Sequence, residues 1–245
     1  WSSDVCSSDL NTMNNTGYFL VADLLGFGKI VKNSTGTTLN GRIDEWVDLV
    51  GATASLHGIN NFQLVSDTLF VGAPSSVEGL SGLLSFSRDL LSKGIEKSFP
   101  IRGAIVHGEY VFGKLTYGRA VIAAHELEQA QNWIGITCAP DLPDIEALWS
   151  LDRVVCYPAP QKRGQMRLHP VVSWPVPPTE RLMQLLMGGG LTRAQEVITW
   201  ELGDKANNTI LFRLYQEFLR KRPVDCSRFY GTLPVHPIEA SLVDS

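Results

Sequence analysis

Cysteine is scarce in this sequence, and the few cysteines present form no recognisable framework. The chain has 245 residues and 4 cysteines. Without Cys6, which is set aside below, Cys138, Cys156 and Cys226 are too widely scattered to pair completely or to show metal-ligand spacing. No secretion signal is recognisable either, so neither a disulfide scaffold nor a cysteine-bound metal is expected, and the sequence predicts a reducing, cytoplasmic location.

Long apolar runs and a strong excess of one charge are also missing. No run approaches the roughly 20 apolar residues that a bilayer requires. The formal net charge is −4 and becomes −2 when Asp4 and Asp9 are left out. Such a balance provides no electrostatic footprint for nucleic acid or an anionic membrane. We therefore predict a soluble protein whose partners include neither nucleic acid nor a membrane.

The first ten residues, WSSDVCSSDL, show no hydrophobic periodicity and start neither a strand nor a helix. They are similar to a translated sequencing-adapter oligonucleotide, so residues 1–12 are interpreted as a non-native segment and Met13 as the native start. The remaining residues predict a catalytic domain over 13–157 and a C-terminal strand and helical extension over 158–245.

Hydrophobic spacing over 13–157 predicts alternating strands and helices. The expected elements are a buried strand ending at Asp23, a helix from Leu39, a hairpin turning at Ser66-Asp67, a helix over 80–91, a second hairpin over 101–112 turning near Gly108, a helix over 118–130, and strands at 134–138 and 153–157. This order predicts an α+β fold, an antiparallel-rich sheet with helices on one side.

The sequence changes character after residue 157. Prolines surround Val171-Val-Ser-Trp174, which predicts an edge strand followed by a linker. Helices are then expected over 179–187 and 191–222, separated by Gly188-Gly-Gly190.

Two aspartates at strand ends are the candidates for chemistry. Asp23 ends the first buried strand before Gly26-Phe27, and Asp67 lies at the first hairpin tip. Taken alone, Asp23 is more commonly an N-cap and Asp67 a turn residue. In a β-α-β-β arrangement, however, the first strand lies beside the hairpin. The two carboxylates would then converge and repel each other unless divalent cations lie between them.

Four motifs resemble, in order, those of the class III nucleotide cyclase family. They are Val21-Ala-Asp-Leu-Leu-Gly-Phe27 and Val65-Ser-Asp-Thr-Leu-Phe70, similar to the two metal motifs, Ile101-Arg-Gly-Ala-Ile-Val-His-Gly-Glu109, and the helix Gly118-Arg-Ala-Val-Ile-Ala-Ala-His-Glu-Leu-Glu128. The resemblance implies a ferredoxin-like, palm-type catalytic sheet and a homodimer in which each copy supplies half of the pocket.

The departures from the purine cyclases point to one branch of the family. Ser66-Asp67 replaces the usual Gly-Asp, Ile122 stands where purine cyclases have a transition-state Asn, and Glu126 stands where they have an Arg. The helix instead resembles that of the Pycsar antiphage pyrimidine cyclases, with matches at Gly118, Ala120, Ala124, Leu127 and Glu128, and Trp200-Glu-Leu-Gly-Asp-Lys-Ala-Asn-Asn-Thr209 resembles a C-terminal segment of that group.

This resemblance implies catalytic roles for Asp23 and Asp67. Two Mn²⁺ or Mg²⁺ ions would be held by Asp23, Asp67 and the backbone carbonyl of Leu24, and would promote attack of the ribose 3′-hydroxyl on the α-phosphorus. The N–H groups of Gly26 and Phe27 are candidates for binding the phosphates. The product would be a second messenger in phage defence, sensed by a separately encoded effector.

Base recognition is assigned to Gln63, four residues before Asp67, where purine cyclases carry Lys or Glu. A carboxamide both donates and accepts, so Gln63 could meet either uracil or cytosine. The family resemblance implies UTP as the expected substrate and CTP as the alternative. Arg102, Lys114 and Arg119 are candidates for neutralising phosphate in place of the absent Arg, but solvated surface charges are the favoured interpretation of all three. The rivals are a degenerate cyclase domain that binds nucleotides or partners without catalysis, and a diguanylate cyclase, whose Gly-Gly-Asp/Glu-Glu-Phe hairpin is missing.

Overall fold

The computed structural model describes residues 13–33, 36–113, 115–150, 152–163, 166–187 and 192–221. Its strands are β1 (Met13–Leu24), β2 (Phe62–Val65), β3 (Thr68–Pro74), β4 (Ile101–Phe112), β5 (Gly135–Cys138), β6 (Val154–Pro160) and β7 (Met166–Val172). Its α-helices are α1 (Phe27–Asn33), α2 (Thr37–Leu56), α3 (Val77–Glu96), α4 (Arg119–Ala130), α5 (Thr179–Met187) and α6 (Thr192–Lys221). Residues 1–12, for which the sequence predicts a non-native segment, lie outside the described residues.

One mixed sheet joins the seven strands in the order β2-β3-β1-β4-β5-β7-β6. All neighbours are antiparallel except β4 and β5, which are parallel. Parallel neighbours need a crossover connection, and α4 supplies it between them. The predicted α+β class with an antiparallel-rich sheet is therefore confirmed.

Helices cover both faces of the sheet, not one face as the sequence had suggested. Side chains of β1 alternate between two clusters, as the two-residue period of a strand requires. Leu20 and Ala22 join the larger cluster, to which α2, α3 and α6 contribute. Phe19 and Val21 join a smaller cluster with Ala120 of α4 on the opposite face. The strand is apolar on both faces for this reason.

The segment 101–112 is a single strand and not the second hairpin that the sequence had predicted. Every residue of β4 pairs with β1, from Leu24 opposite Ile101 to Met13 opposite Phe112. Gly108, near which the sequence predicts a turn, lies opposite Gly17 within this ladder. A Cβ added to Gly108 would lie at an ordinary contact distance of 3.5 Å from the Cβ of Ala120, which places this part of β4 directly under α4.

The predicted edge strand near Val171 is also in a different position. β7 lies between β5 and β6, with Val171 paired to Thr137 on one side and to Val155 on the other, so β6 forms that edge of the sheet. Prolines were a misleading signal because Pro170 pairs within the β6–β7 hairpin. The domain boundary at residue 157 stays a prediction.

The long C-terminal helix α6 packs against the sheet through aromatic and polar contacts. Phe212 is fully buried, and its ring lies 5.0 Å from that of Trp133 and 4.9 Å from that of Tyr157. The hydroxyl of Thr209 accepts a 2.9 Å hydrogen bond from the Ile134 N–H. Within the described residues, no helix is long and apolar enough to cross a membrane.

A buried histidine in β7 is expected to make folding pH-dependent. His169 is 6% exposed, and burial lowers its pKa to about 4, from about 6.5 in an unfolded chain. The unfolded chain therefore takes up a proton that the folded protein excludes. This contribution should reduce the free energy of unfolding by about 2 kcal/mol between pH 7 and pH 5. Urea unfolding at both pH values measures the loss.

The matched control is His169→Gln, which keeps a polar side chain but does not titrate. The fall in unfolding free energy between the two pH values should be smaller in this variant by about the same 2 kcal/mol. An equal fall in both proteins would assign the pH dependence to other groups.

Candidate active site

Asp23 lies one residue before the end of β1, between two strands that hold it in register. It pairs with Thr68 of β3 on one side and with Arg102 of β4 on the other. The Thr68 hydroxyl donates a 3.2 Å hydrogen bond to Asp23 Oδ1. The backbone ladder thus fixes the carboxyl group of Asp23 at the end of the sheet where the β2–β3 turn lies.

Asp67 occupies that turn, as the sequence predicts. Val65 pairs with Thr68, which leaves Ser66 and Asp67 as a two-residue connection. Ser66 takes the left-handed conformation with φ of 59°, and its hydroxyl donates a 2.9 Å hydrogen bond to Asp67 Oδ1. Since Asp67 directly precedes Thr68, the structure brings the two aspartates together at one end of neighbouring strands.

The electrostatics of Asp23 reflect this proximity. Burial is the first cause that raises its pKa, to about 6, and the negative charges of Asp67 and Glu128 add to it. The Thr68 hydrogen bond and the Arg102 charge act in the opposite direction without cancelling the rise. The ionised form of Asp23 is therefore disfavoured in these surroundings, and a hard cation that takes oxygen ligands would stabilise it.

A divalent cation fits this donor set. Asp23 and Asp67 offer carboxylate oxygens, and the chain turns away directly after Leu24, at Gly26 with φ of 85°. Over the described ranges no group of three or more His, Cys, Asp or Glu side chains forms a metal cluster. Cations at this site would therefore need backbone carbonyl, nucleotide or water oxygens to complete their coordination.

Arg102 is a buried network residue and not the solvated charge that the sequence suggested. It is 6% exposed, and its Nε and Nη2 each lie 2.5 Å from Glu128 Oε1. Its Nη1 donates to the Gln131 carbonyl at 3.2 Å. Gln131 in turn accepts hydrogen bonds from Trp133 and Thr137. These contacts tie α4 to the sheet directly beside Asp23.

Of the two other cations, Arg119 is exposed at the start of α4, as predicted, and Lys114 lies outside the described residues. Lys162 is a neighbour that the sequence analysis missed. Burial and the Arg102 charge lower the pKa of Lys162, whereas the negative charges of Glu128 and Asp23 raise it by less. It follows β6 and comes close to the site only through the fold, so no linear motif could have revealed it.

The remaining predicted residues lie on two sides of the aspartates. Two residues separate the end of β1 from Phe27, where α1 begins, and Gly26 directly precedes Phe27, which is buried. Gln63 lies on β2 opposite Phe70, and its Oε1 accepts a 2.7 Å hydrogen bond from the Thr116 hydroxyl. Thr116, in the loop before α4, was also missed, because the sequence gives no sign that this loop reaches β2.

Comparison with solved structures identifies the fold. A bacterial light-regulated adenylyl cyclase matches with a TM-score of 0.53 at 12% identity, over 72% of this chain and 99% of that one. The guanylate cyclase domain of RhGC from Catenaria anguillulae, solved with GTP, matches with a TM-score of 0.50 at 14% identity, over 65% of this chain and 97% of that one. No family model and no curated protein sequence matches the chain.

A third structure extends the range of nucleotides seen on this fold. The catalytic core of a rhodopsin-guanylyl cyclase with converted specificity, in complex with ATPalphaS, matches with a TM-score of 0.52 at 13% identity, over 66% of this chain and 98% of that one. The chain therefore has a nucleotide cyclase fold. More narrowly, it is the fold of class III adenylyl and guanylyl cyclase catalytic domains.

Proposed function

We propose that this chain is a metal-dependent nucleotide cyclase that converts UTP to 3′,5′-cyclic UMP and pyrophosphate. The observation that carries the proposal is the position of Asp23 and Asp67. They meet through the β1–β3 register at one end of a cyclase-type sheet. The cluster of negative charge there matches the need of a triphosphate substrate for divalent cations.

In this proposal the site residues bind either the metal ions or the phosphates. Asp23 and Asp67, with the Leu24 carbonyl, hold Mn²⁺ or Mg²⁺ ions, which when bound would lower the pKa of the 3′-hydroxyl and neutralise the triphosphate. The N–H groups of Gly26 and Phe27 bind phosphate oxygens. The 3′-oxygen forms a bond to the α-phosphorus while the bond to the bridging oxygen breaks, pyrophosphate leaves, and the hydroxyl proton passes to water.

Two observations support a homodimer and a signalling role. Leu115, Tyr117 and Ile122 are exposed apolar residues along the loop and helix beside the site, where a second copy would shield them from water. The Pycsar-like pattern of α4 supports a role in phage defence in the cytoplasm. There the cyclic nucleotide would be sensed by a separately encoded effector.

The alternatives differ in substrate or in catalysis. CTP is the alternative substrate, since Gln63 can both donate and accept. A degenerate domain that binds nucleotides without catalysis is favoured by Ile122 and Glu126, which lie on the exposed side of α4 in place of the purine-cyclase Asn and Arg.

The direct test is incubation of the full chain with each of the four ribonucleoside triphosphates and Mn²⁺. We expect cyclic UMP and pyrophosphate as the main products, resolved by mass spectrometry, and none when EDTA removes the metal. A cyclic purine product would overturn the substrate, and metal-independent turnover would overturn the mechanism. Nucleotide binding without any product would favour the degenerate domain.

A further inference from the structure

Helix α6 carries large apolar side chains on two opposite sides. One side packs against the sheet and includes Phe212 and Leu219, which are buried. The other side carries Leu211, Leu214 and Phe218, which are 49%, 47% and 48% exposed. The solvent side of a helix on a protein surface is normally polar. This second apolar line therefore indicates a surface that is covered by something else.

The apolar line is the centre of a longer regular pattern. Steps of alternately three and four residues connect six side chains of α6, all of them exposed in the single copy: Asp204, Asn207, Leu211, Leu214, Phe218 and Lys221. We call these six residues the α6 seam. The spacing is that of the a and d positions of a coiled coil, where two helices pack side by side. The pattern thus indicates that the covering element is another helix.

The α6 seam is complementary to itself when its direction is reversed. An acidic residue, Asp204, lies at its start and a basic residue, Lys221, at its end. Two antiparallel copies place Asp204 opposite Lys221 of the partner subunit at both ends, and Leu211 opposite Leu214 of the partner subunit at the centre. Parallel copies would place each charge opposite its own kind, and like charges repel. A two-fold interface uses the same surface of both copies, so it requires this kind of self-complementarity.

We propose that the α6 seam binds the α6 seam of a second copy of this chain in antiparallel orientation, around a two-fold axis between Leu211 and Leu214. This contact goes beyond the proposed function. It is also separate from the homodimer surface at Leu115, Tyr117 and Ile122, because α4 packs on the opposite face of the sheet from α6. The two contacts do not compete for one surface, and together they would link copies into assemblies larger than a dimer.

The contact is expected to be weak, because it is small. The seam extends along roughly 26 Å of helix, and stable interfaces use about 20–30 residues from each partner. We expect a Kd on the order of micromolar. Sedimentation velocity of the full chain over a concentration series measures it. All proteins in the test carry Leu115→Glu, which places a charge in the surface beside α4, so that the α6 contact is measured alone. Leu115 is 67% exposed, so this change leaves the core intact.

The first variant tests whether the seam is the contact. Leu214→Glu places a carboxylate from each copy at the centre and should weaken self-association about a hundredfold, because burial of an unpaired charge is costly. Leu56→Glu is the matched control, since Leu56 is 63% exposed on α2, away from the seam. It should associate like its parent protein. Circular dichroism checks that both variants are folded.

A charge exchange tests the antiparallel orientation. Asp204→Lys places a lysine opposite Lys221 of the partner subunit at both ends and should weaken association about tenfold, the scale of two exposed ion pairs. Asp204→Lys/Lys221→Asp exchanges both charges, so it should restore the affinity of the parent protein. A double variant that associates as weakly as the single one would exclude the antiparallel pairing and overturn the inference.

Two other results also overturn it. One is a parent protein that stays monomeric at all concentrations. The other is unchanged association in Leu214→Glu, and a lower free energy of unfolding in that variant would then show that residues after Lys221 cover the seam within one copy. None of these measurements uses turnover of UTP, so the α6 contact and the proposed cyclase activity can fail independently.

Discussion

Replacing Asp67 with asparagine is expected to lower the rate of cyclic nucleotide formation on the order of 10³-fold. The reason is that a carboxylate ligand is lost, and cation stabilisation of the transition state is worth several kcal/mol. The fold should survive, because asparagine suits a turn and its side-chain oxygen can still accept the 2.9 Å hydrogen bond from Ser66. Pyrophosphate release from UTP with Mn²⁺ measures the rate.

Asp48→Asn is the matched control for this variant. Asp48 is exposed on α2, so its replacement removes the same charge away from the site. The control should turn over UTP at the wild-type rate, and both variants should unfold at the wild-type urea concentration. Wild-type turnover by Asp67→Asn would show that the paired aspartates do not hold the catalytic cations.

Replacing Glu128 with leucine is expected to destabilise the protein by about 3–5 kcal/mol, a large part of the stability of an ordinary domain. Glu128 is 1% exposed and is the carboxylate partner of the buried guanidinium of Arg102. Without it, that guanidinium would remain buried and lose the one carboxylate, among the described residues, with which it forms a salt bridge. The free energy of unfolding in urea, followed by circular dichroism, measures the loss.

The double variant Arg102→Met/Glu128→Leu distinguishes the cost of an unpaired charge from the cost of lost packing. It removes both charges and keeps apolar bulk at both positions, so it should recover most of the stability that Glu128→Leu loses. A double variant that is less stable than Glu128→Leu would assign the loss to packing and to the other contacts of Arg102, and not to an unpaired charge.

Local patterns were sufficient for the parts of the site that lie close together in the chain. The apolar run before Asp23, the short strands around Ser66-Asp67 and the periodicity of 118–130 each predict an element that the structure contains. Convergence of Asp23 and Asp67 followed from topology, since the strand before a β-hairpin commonly lies beside it. The β1–β3 register has this arrangement.

The wrong predictions for Gly108 and Arg102 come from residue types that occur in more than one structural setting. Gly108 indicates a turn in sequence, yet in the structure it lies within β4 under α4, opposite Gly17 of β1. Arg102 looks like a surface cation until Glu128, 26 residues later in the chain, is placed against it. Neither the helix above Gly108 nor the partner of Arg102 can be read from the local sequence, because tertiary packing determines both.

The contact between Gln63 and Thr116 is a further tertiary contact, within the site, that the local sequence does not predict. The sequence identified Gln63 as a candidate for reading the base but left the orientation of its amide open. Thr116 lies 53 positions further along the chain and carries no motif of its own. Only the return of the β4–α4 loop to the end of the strand brings the two side chains together.

The pairing of β1 has a consequence for hydrogen exchange. β1 and β4 are joined at all 12 residues in the middle of the sheet, whereas β2 has 4 residues and forms an edge with one neighbour. Proteins open in local units, and short edge hairpins belong to the units that open at low free energy. We therefore expect the backbone at Asp23 to exchange slowly and that at Asp67 to exchange faster. Opening the edge hairpin alone is enough to separate the two carboxylates while the central strands stay folded.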